Sequence, residues 1–96
     1  MSIERKYWVY ILTNVYNSVF YVGVTNNLMR RVYEHRTGIG SVFTKKYKVC
    51  KLVYFETANN ILFALRREKQ LKAGSRKKKI SLVRNVNPKW RDLYGG

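Results

Sequence analysis

Five side chains between residues 10 and 68 are of types that act on an anionic substrate: Tyr10, Tyr21, Arg31, His35 and Glu68. Two of them sit on neighbouring strands. Residues 7–13 and 19–24 are rich in apolar, β-branched and aromatic residues, and turn formers occupy 14–17 between them. A hairpin centred between Val15 and Tyr16 sets Tyr10 opposite Tyr21. Directly opposed residues leave one sheet face with Cβ atoms roughly 4.5–5.5 Å apart, so two phenol hydroxyls are delivered side by side. A slip of one residue would send them to opposite faces. Gly23 lies on the same face as Tyr21, where a missing side chain leaves room for a ligand or another backbone. Paired tyrosines are also what a half-buried sheet favours for packing alone, so the pair by itself does not define chemistry.

The elements that must position these groups follow from the remaining pattern. Residues 7–12 are apolar on both alternating faces, as expected of a central strand covered on each side. Thr25, Asn26 and Asn27 offer cap oxygens for a helix over about 27–37, with Leu28, Met29, Val32 and Tyr33 as its apolar stripe and Arg30 and Glu34 opposite. Arg31 and His35 stand one turn apart at the border of that stripe, where a cation reaches a cleft without being buried; a solvated arginine and a surface histidine occupy such positions equally well. Gly38 and Gly40 end the helix. Residues 41–48 read as a loop in which Lys45, Lys46 and Lys48 alternate with Phe43 and Tyr47, a composition suited to phosphate contact and base stacking and equally to a charged surface loop.

A third strand spans 50–55, and Asn59 or Asn60 caps a helix running to about Ala73. Its apolar face is Ile61, Ala64, Leu65 and Leu71, and Glu68 falls in the middle. A buried carboxylate without a partner costs several kcal/mol, so Glu68 must be ion-paired, protonated or bound to a cation, with Arg31 as one candidate partner. Ser75 caps a last helix that begins with Arg76, Lys77, Lys78 and Lys79 and carries Ile80, Leu82, Val83 and Val86 on one face. A charge run of this length is usually a solvated helix start, and its mild conflict with the macrodipole tips it only slightly toward a phosphate-binding role. Residues 1–6 form a polar lead-in, and Trp90 and Leu93 are expected to anchor the tail.

Ninety-six residues suffice for one domain, residues 1–96, with one modest core. Twenty Lys and Arg against five acidic residues give a formal net charge of +15, more than solubility requires. A polyanion is the expected partner, bound through salt-sensitive counterion release. No apolar run is long enough for a membrane span. The single Cys50 excludes an intramolecular disulfide and a multi-cysteine metal site, and a cytoplasmic location fits this usage.

Trp8-Val9-Tyr10, Tyr21-Val22-Gly23, Arg31 eight residues after Gly23, His35, Glu68 within Ala-Leu-Arg-Arg-Glu, and the tail Asn-Pro-Lys-Trp-Arg-Asp-Leu together resemble the GIY-YIG nuclease family. The likeness is greatest to its small stand-alone bacterial branch, the YhbQ-like proteins, and extends to the N-terminal nuclease domain of the excision repair protein UvrC. The resemblance implies an α+β fold with a three-stranded antiparallel sheet flanked by helices, in agreement with the order β-β-α-β-α-α read above. It implies phosphodiester cleavage with one divalent metal, Mg²⁺ or Mn²⁺, held by Glu68. Arg31 would stabilise charge on the phosphate, Tyr10 or Tyr21 would position or deprotonate water, and His35 would serve as base or phosphate ligand. Trp8, Val9 and Val22 replace the family's Gly, Ile and Ile, which are packing changes, and Val24 stands where some members carry a lysine. Asn85 or Asn87 could supply the late asparagine that other members use.

The expected function is a metal-dependent endonuclease acting on DNA, with RNA as a second possible substrate and DNA repair or processing as the setting. Lys45, Lys46, Arg66, Arg67, Arg76, Lys77, Lys78 and Lys79 are the expected phosphate contacts. The alternative is a non-catalytic basic nucleic-acid-binding module of the same fold. Oligomeric state is not determined by the sequence.

Overall fold

A computed structural model of the chain describes residues 6–94. The lead-in expected over residues 1–6 therefore lies, up to residue 5, outside the described residues. The elements are β1 (Tyr7–Thr13), β2 (Phe20–Thr25), α1 (Leu28–Arg36), α2 (Val42–Tyr47), β3 (Lys51–Ala58), α3 (Ile61–Ala73) and α4 (Arg76–Val86). The strands form one antiparallel sheet in the order β2-β1-β3. β1 is central, and Val9 to Thr13 are all buried, as its uniform apolarity requires.

Each sheet face carries a helical layer. Tyr10, Leu12 and Leu52 pack with Leu28 and Val32 of α1 on one side. Val9, Ile11, Val22, Val53 and Tyr54 pack with Ala64 and Leu71 of α3 and Val83 of α4 on the other. Only a narrow row of each helix meets this three-stranded surface. In α1 that row is Leu28, Val32 and His35, whereas Met29 and Tyr33 of the expected stripe are exposed. In α3 it is Ala64 and Leu71, with Ile61 and Leu65 exposed.

Two expectations of local structure are corrected. The hairpin is centred between Tyr16 and Asn17, so Tyr10 opposes Gly23 and Tyr21 opposes Leu12. The cause is the connection. Asn17 adopts a left-handed φ of 55°, and the Asn14 side chain accepts hydrogen bonds from the Ser18 and Val19 amides at 2.8 and 3.2 Å, holding six residues in the turn. The shift is by two residues in the pairing, so both tyrosines stay on one face. The expected loop over 41–48 contains the one-and-a-half-turn helix α2, capped by the Ser41 hydroxyl accepting from the Thr44 amide at 3.1 Å. A bulge between Ile11 and Leu12 in the pairing with β3 lets Val53 and Tyr54 both face α3 and α4.

The two outer edges of the sheet differ. Along β3 the C-terminal segment lies against the strand: the Leu93 amide donates to the Leu52 carbonyl at 2.7 Å, and Asp92 accepts from the Leu52 amide at 3.2 Å. No strand pairs with the outer edge of β2 among the described residues. No described helix is long and apolar enough to cross a membrane.

Candidate active site

Tyr10 is 1% exposed, and its ring lies across Gly23. A Cβ at position 23 would overlap the Tyr10 hydroxyl and ring carbon. The space that Gly23 leaves is therefore filled by Tyr10 itself and not by a ligand. Tyr21 stands diagonally across the hairpin with ring centroids 6.3 Å apart, and α1 brings the His35 ring within 6.0 Å of Tyr10 and 5.1 Å of Tyr21.

His35, expected at the border of the helix stripe, is 3% exposed and belongs to the core row. The Tyr10 hydroxyl and His35 Nε2 are 3.1 Å apart, and His35 Nδ1 lies 2.9 Å from Thr44 Oγ1. The Thr44 hydroxyl donates to the Ser41 carbonyl at 3.3 Å. Its oxygen is then free to accept from Nδ1–H, which leaves a lone pair on Nε2 to accept from the Tyr10 hydroxyl. Burial, reinforced by the positive field of Arg31, pushes the His35 pKa down to about 4, and this ring is neutral at pH 7. Burial also pushes the Tyr10 phenol up to about 12, against the pull of Arg31. Gly40 packs on the imidazole so closely that a Cβ there would come within 2.9 Å of the His35 Cα.

Arg31 is half-buried. It donates through Nη1 to Glu34 and through Nη2 to the Gly40 carbonyl, each at 3.2 Å. Its charge is felt by both Tyr10 and His35, so the two phenols, the imidazole and the guanidinium form one cluster. The expected Arg31–Glu68 partnership is not formed. Glu68 instead lies 3.6 Å from Lys72, one turn further along α3, with its side chain 19% exposed. The reason is geometric: Arg31 and Glu68 belong to helices on opposite faces of the sheet. The Glu68 charge adds only slightly to the rise of the Tyr10 phenol, and no hydrogen bond or ion pair joins it to the cluster among the described residues.

The donor set bears on the metal. Among the described residues there is no group of three or more His, Cys, Asp or Glu able to enclose an ion. A single half-buried carboxylate with a weak, exposed ammonium partner fits Mg²⁺, which keeps most of its waters and takes one or two carboxylates together with substrate phosphate.

The basic residues divide. Lys45, Lys46, Arg66, Arg76, Lys77 and Lys78 are exposed. Arg67 is engaged with Glu56 at 2.7 Å and with Gln70 at 2.8 Å, an intramolecular use that its expected role as a phosphate contact did not include. Lys79 donates to the Gly74 carbonyl at 2.7 Å. Of the two late asparagines, Asn87 is a structural tie, buried and bonded to the carbonyls of Val53 and Arg91, while Asn85 is exposed. Sequence reasoning missed Gly40, Ser41 and Thr44. The serine three residues before Thr44, in cap spacing, was the signal available.

A hairpin with two tyrosines on one face, Arg31 and His35 on the following helix and Glu68 on α3 make up the candidate site of a small α+β domain. Residues 6–81 match the GIY-YIG catalytic domain. The UPF0213 protein of Syntrophus aciditrophicus is 37% identical over 84 residues, covering 86% of this chain and 94% of that protein. A UPF0213 protein of Clostridium perfringens is 40% identical over 76 residues, covering 79% and 81%. The solution structure of a UPF0213 protein from Bacillus halodurans superposes with a TM-score of 0.57 at 30% identity, covering 91% of this chain and 92% of that one. The chain belongs to the GIY-YIG family of nuclease domains, and phosphodiester hydrolysis of nucleic acid is the chemistry this membership implies.

Proposed function

We propose that this protein is a divalent-metal-dependent endonuclease that cuts DNA and serves DNA repair or processing. The observation that carries the reading is the buried Tyr10–His35–Thr44 chain of hydrogen bonds, at 3.1 and 2.9 Å, beside the half-buried Arg31.

Hydrolysis requires water to lose a proton as it attacks phosphorus, and the anionic phosphate must be neutralised. Arg31 is the guanidinium placed to pair with non-bridging oxygens. Tyr10 accepts the water proton at Oη while passing its own to His35 Nε2, so that no free phenolate, costly at this depth, has to form. Pairing of Arg31 with phosphate also removes one cause of the low basicity of His35, so substrate binding arms the acceptor. Thr44 Oγ1 holds the imidazole in the required tautomer, and Tyr21 orders the water from the other side of Tyr10. Glu68 would hold Mg²⁺ or Mn²⁺, which supplies Lewis acidity and leaving-group stabilisation when bound.

Glu68→Gln is the decisive experiment. Its ionic partner is Lys72, an exposed i,i+4 neighbour worth only a few tenths of a kcal/mol. The variant should therefore melt close to the wild type, bind DNA without metal at least as tightly, and lose metal-dependent cleavage. Cleavage that survives the substitution removes Glu68 as the metal ligand, and a wild type that cuts no DNA or RNA structure with either metal overturns the nuclease reading in favour of a non-catalytic binding module.

A further inference from the structure

The open edge of β2 borders a cleft of about 520 Å³ whose walls include Phe20, Tyr21, Phe43, Lys72, Arg76 and Lys79. Aromatic surface and positive charge alternate around it. Phe43 is 42% exposed and continues the aromatic run that starts in the catalytic cluster, 6.2 Å from Tyr21 and 4.8 Å from Tyr47. On the other wall, Arg76 is held in place by donating to the Ser18 carbonyl at 2.7 Å, with its guanidinium over the Phe20 ring at 5.3 Å.

We infer that this cleft is a subsite for an unpaired nucleotide adjoining the phosphate to be cut. It rests on the reading of the neighbouring cluster as the cleavage site, to which it is joined at two points. Tyr21 lines the cleft and also faces Tyr10 and His35. Lys72 lines it and lies 3.6 Å from the Glu68 carboxylate. Three cations match the charge of a sugar-phosphate backbone. The exposed Phe43 ring and the Arg76 guanidinium plane match the flat faces of bases, and a base presents its face only when it has left the duplex stack. Stacking on aromatic rings and guanidinium planes with phosphates tracked by cations is how single strands are held without sequence preference. The volume suits one nucleotide and not a double helix. Single strands, flaps and gaps are therefore the favoured substrates over intact duplex.

The test is anisotropy of a fluorescein-labelled oligothymidylate, an abasic deoxyribose-phosphate strand of equal length and a blunt duplex, all in chelator at one salt concentration. The wild type should hold oligothymidylate more tightly than either other probe, and removing the bases should cost about tenfold or more. Phe43→Leu should lower affinity for oligothymidylate by a similar factor and leave duplex binding unchanged, while Phe43→Trp restores it. Equal binding of the abasic strand, or a preference for duplex, overturns the subsite without recourse to any variant. Cleavage with no dependence on bases also refutes it and leaves the nuclease reading standing. Base-dependent binding by a protein that cuts nothing overturns the nuclease reading and leaves the cleft a nucleotide site.

Discussion

Burial drives the two partners of the Tyr10–His35 hydrogen bond in opposite directions, the phenol up to about 12 and the imidazole down to about 4. The histidine makes folding sensitive to acid. In the unfolded chain it titrates near 6.5, so between that pH and about 4 the unfolded state takes up a proton that the folded state refuses. Stability from this residue is complete above pH 6.5 and declines as pH falls through that window, by up to roughly 3 kcal/mol. Urea midpoints between pH 7 and pH 4.5 measure it, and His35→Gln should remove most of the slope that the carboxylates do not cause. An identical slope in wild type and variant would refute it. Two glycines separate shape from backbone freedom. Gly23→Ala drives a Cβ into Tyr10, with an expected cost of about 1–3 kcal/mol and loss of cleavage. Gly38, at a φ of 83° where a Cβ would meet only the Lys45 side chain at an ordinary 3.6 Å, should cost about 1 kcal/mol as alanine and leave cleavage intact. Melting and cleavage measured on both variants check the contrast.

At the scale of elements, the rows Leu28, Val32, His35 of α1 and Ala64, Glu68, Leu71 of α3 share i, i+4, i+7 spacing; His35 is buried in the first, whereas Glu68 stays partly exposed beside Lys72 in the second. Glu68 stood out in the sequence because its neighbours on the helix are apolar, whereas Tyr10, Tyr21, Arg31 and His35 became site candidates only through the motif spacing they share with the family resemblance. The strands and three longer helices were legible from the pattern of their apolar residues. The hairpin register was not, because it is set by a side chain, Asn14, holding two amides across the turn, and alternation alone fixes only which face each residue takes. Helix α2 was missed because six residues are too few to show a period. With it went the support of His35, since Thr44 reaches the imidazole from that helix. Thr44→Val tests this support. It leaves the buried Nδ1–H without an acceptor, and should cost about 1–3 kcal/mol and slow cleavage with little change in DNA affinity, read by melting, rate and anisotropy. An unchanged rate would reduce Thr44 to packing.

For the whole molecule, the net charge of +15 predicts how it meets DNA. With about six phosphates neutralised, the log-log dependence of affinity on salt should have a slope on the order of −5, and Lys77→Gln with Lys78→Gln should flatten it by roughly one to two, because both are exposed and remote from the core. A flat wild-type response would remove the electrostatic account. The sheet carries a different consequence. β1 is hydrogen-bonded on both sides and covered on both faces, whereas α1 buries a single row and the short α2 buries only Thr44. Amide hydrogens of β1 should exchange only through global opening, and those of α1 and α2 through smaller, more frequent excursions. Tyr10 is thus fixed to the slowest-opening part of the molecule and its partner His35 to a faster one. On warming, the pair should come apart while the sheet still stands, so that heat inactivates the protein some degrees before it melts.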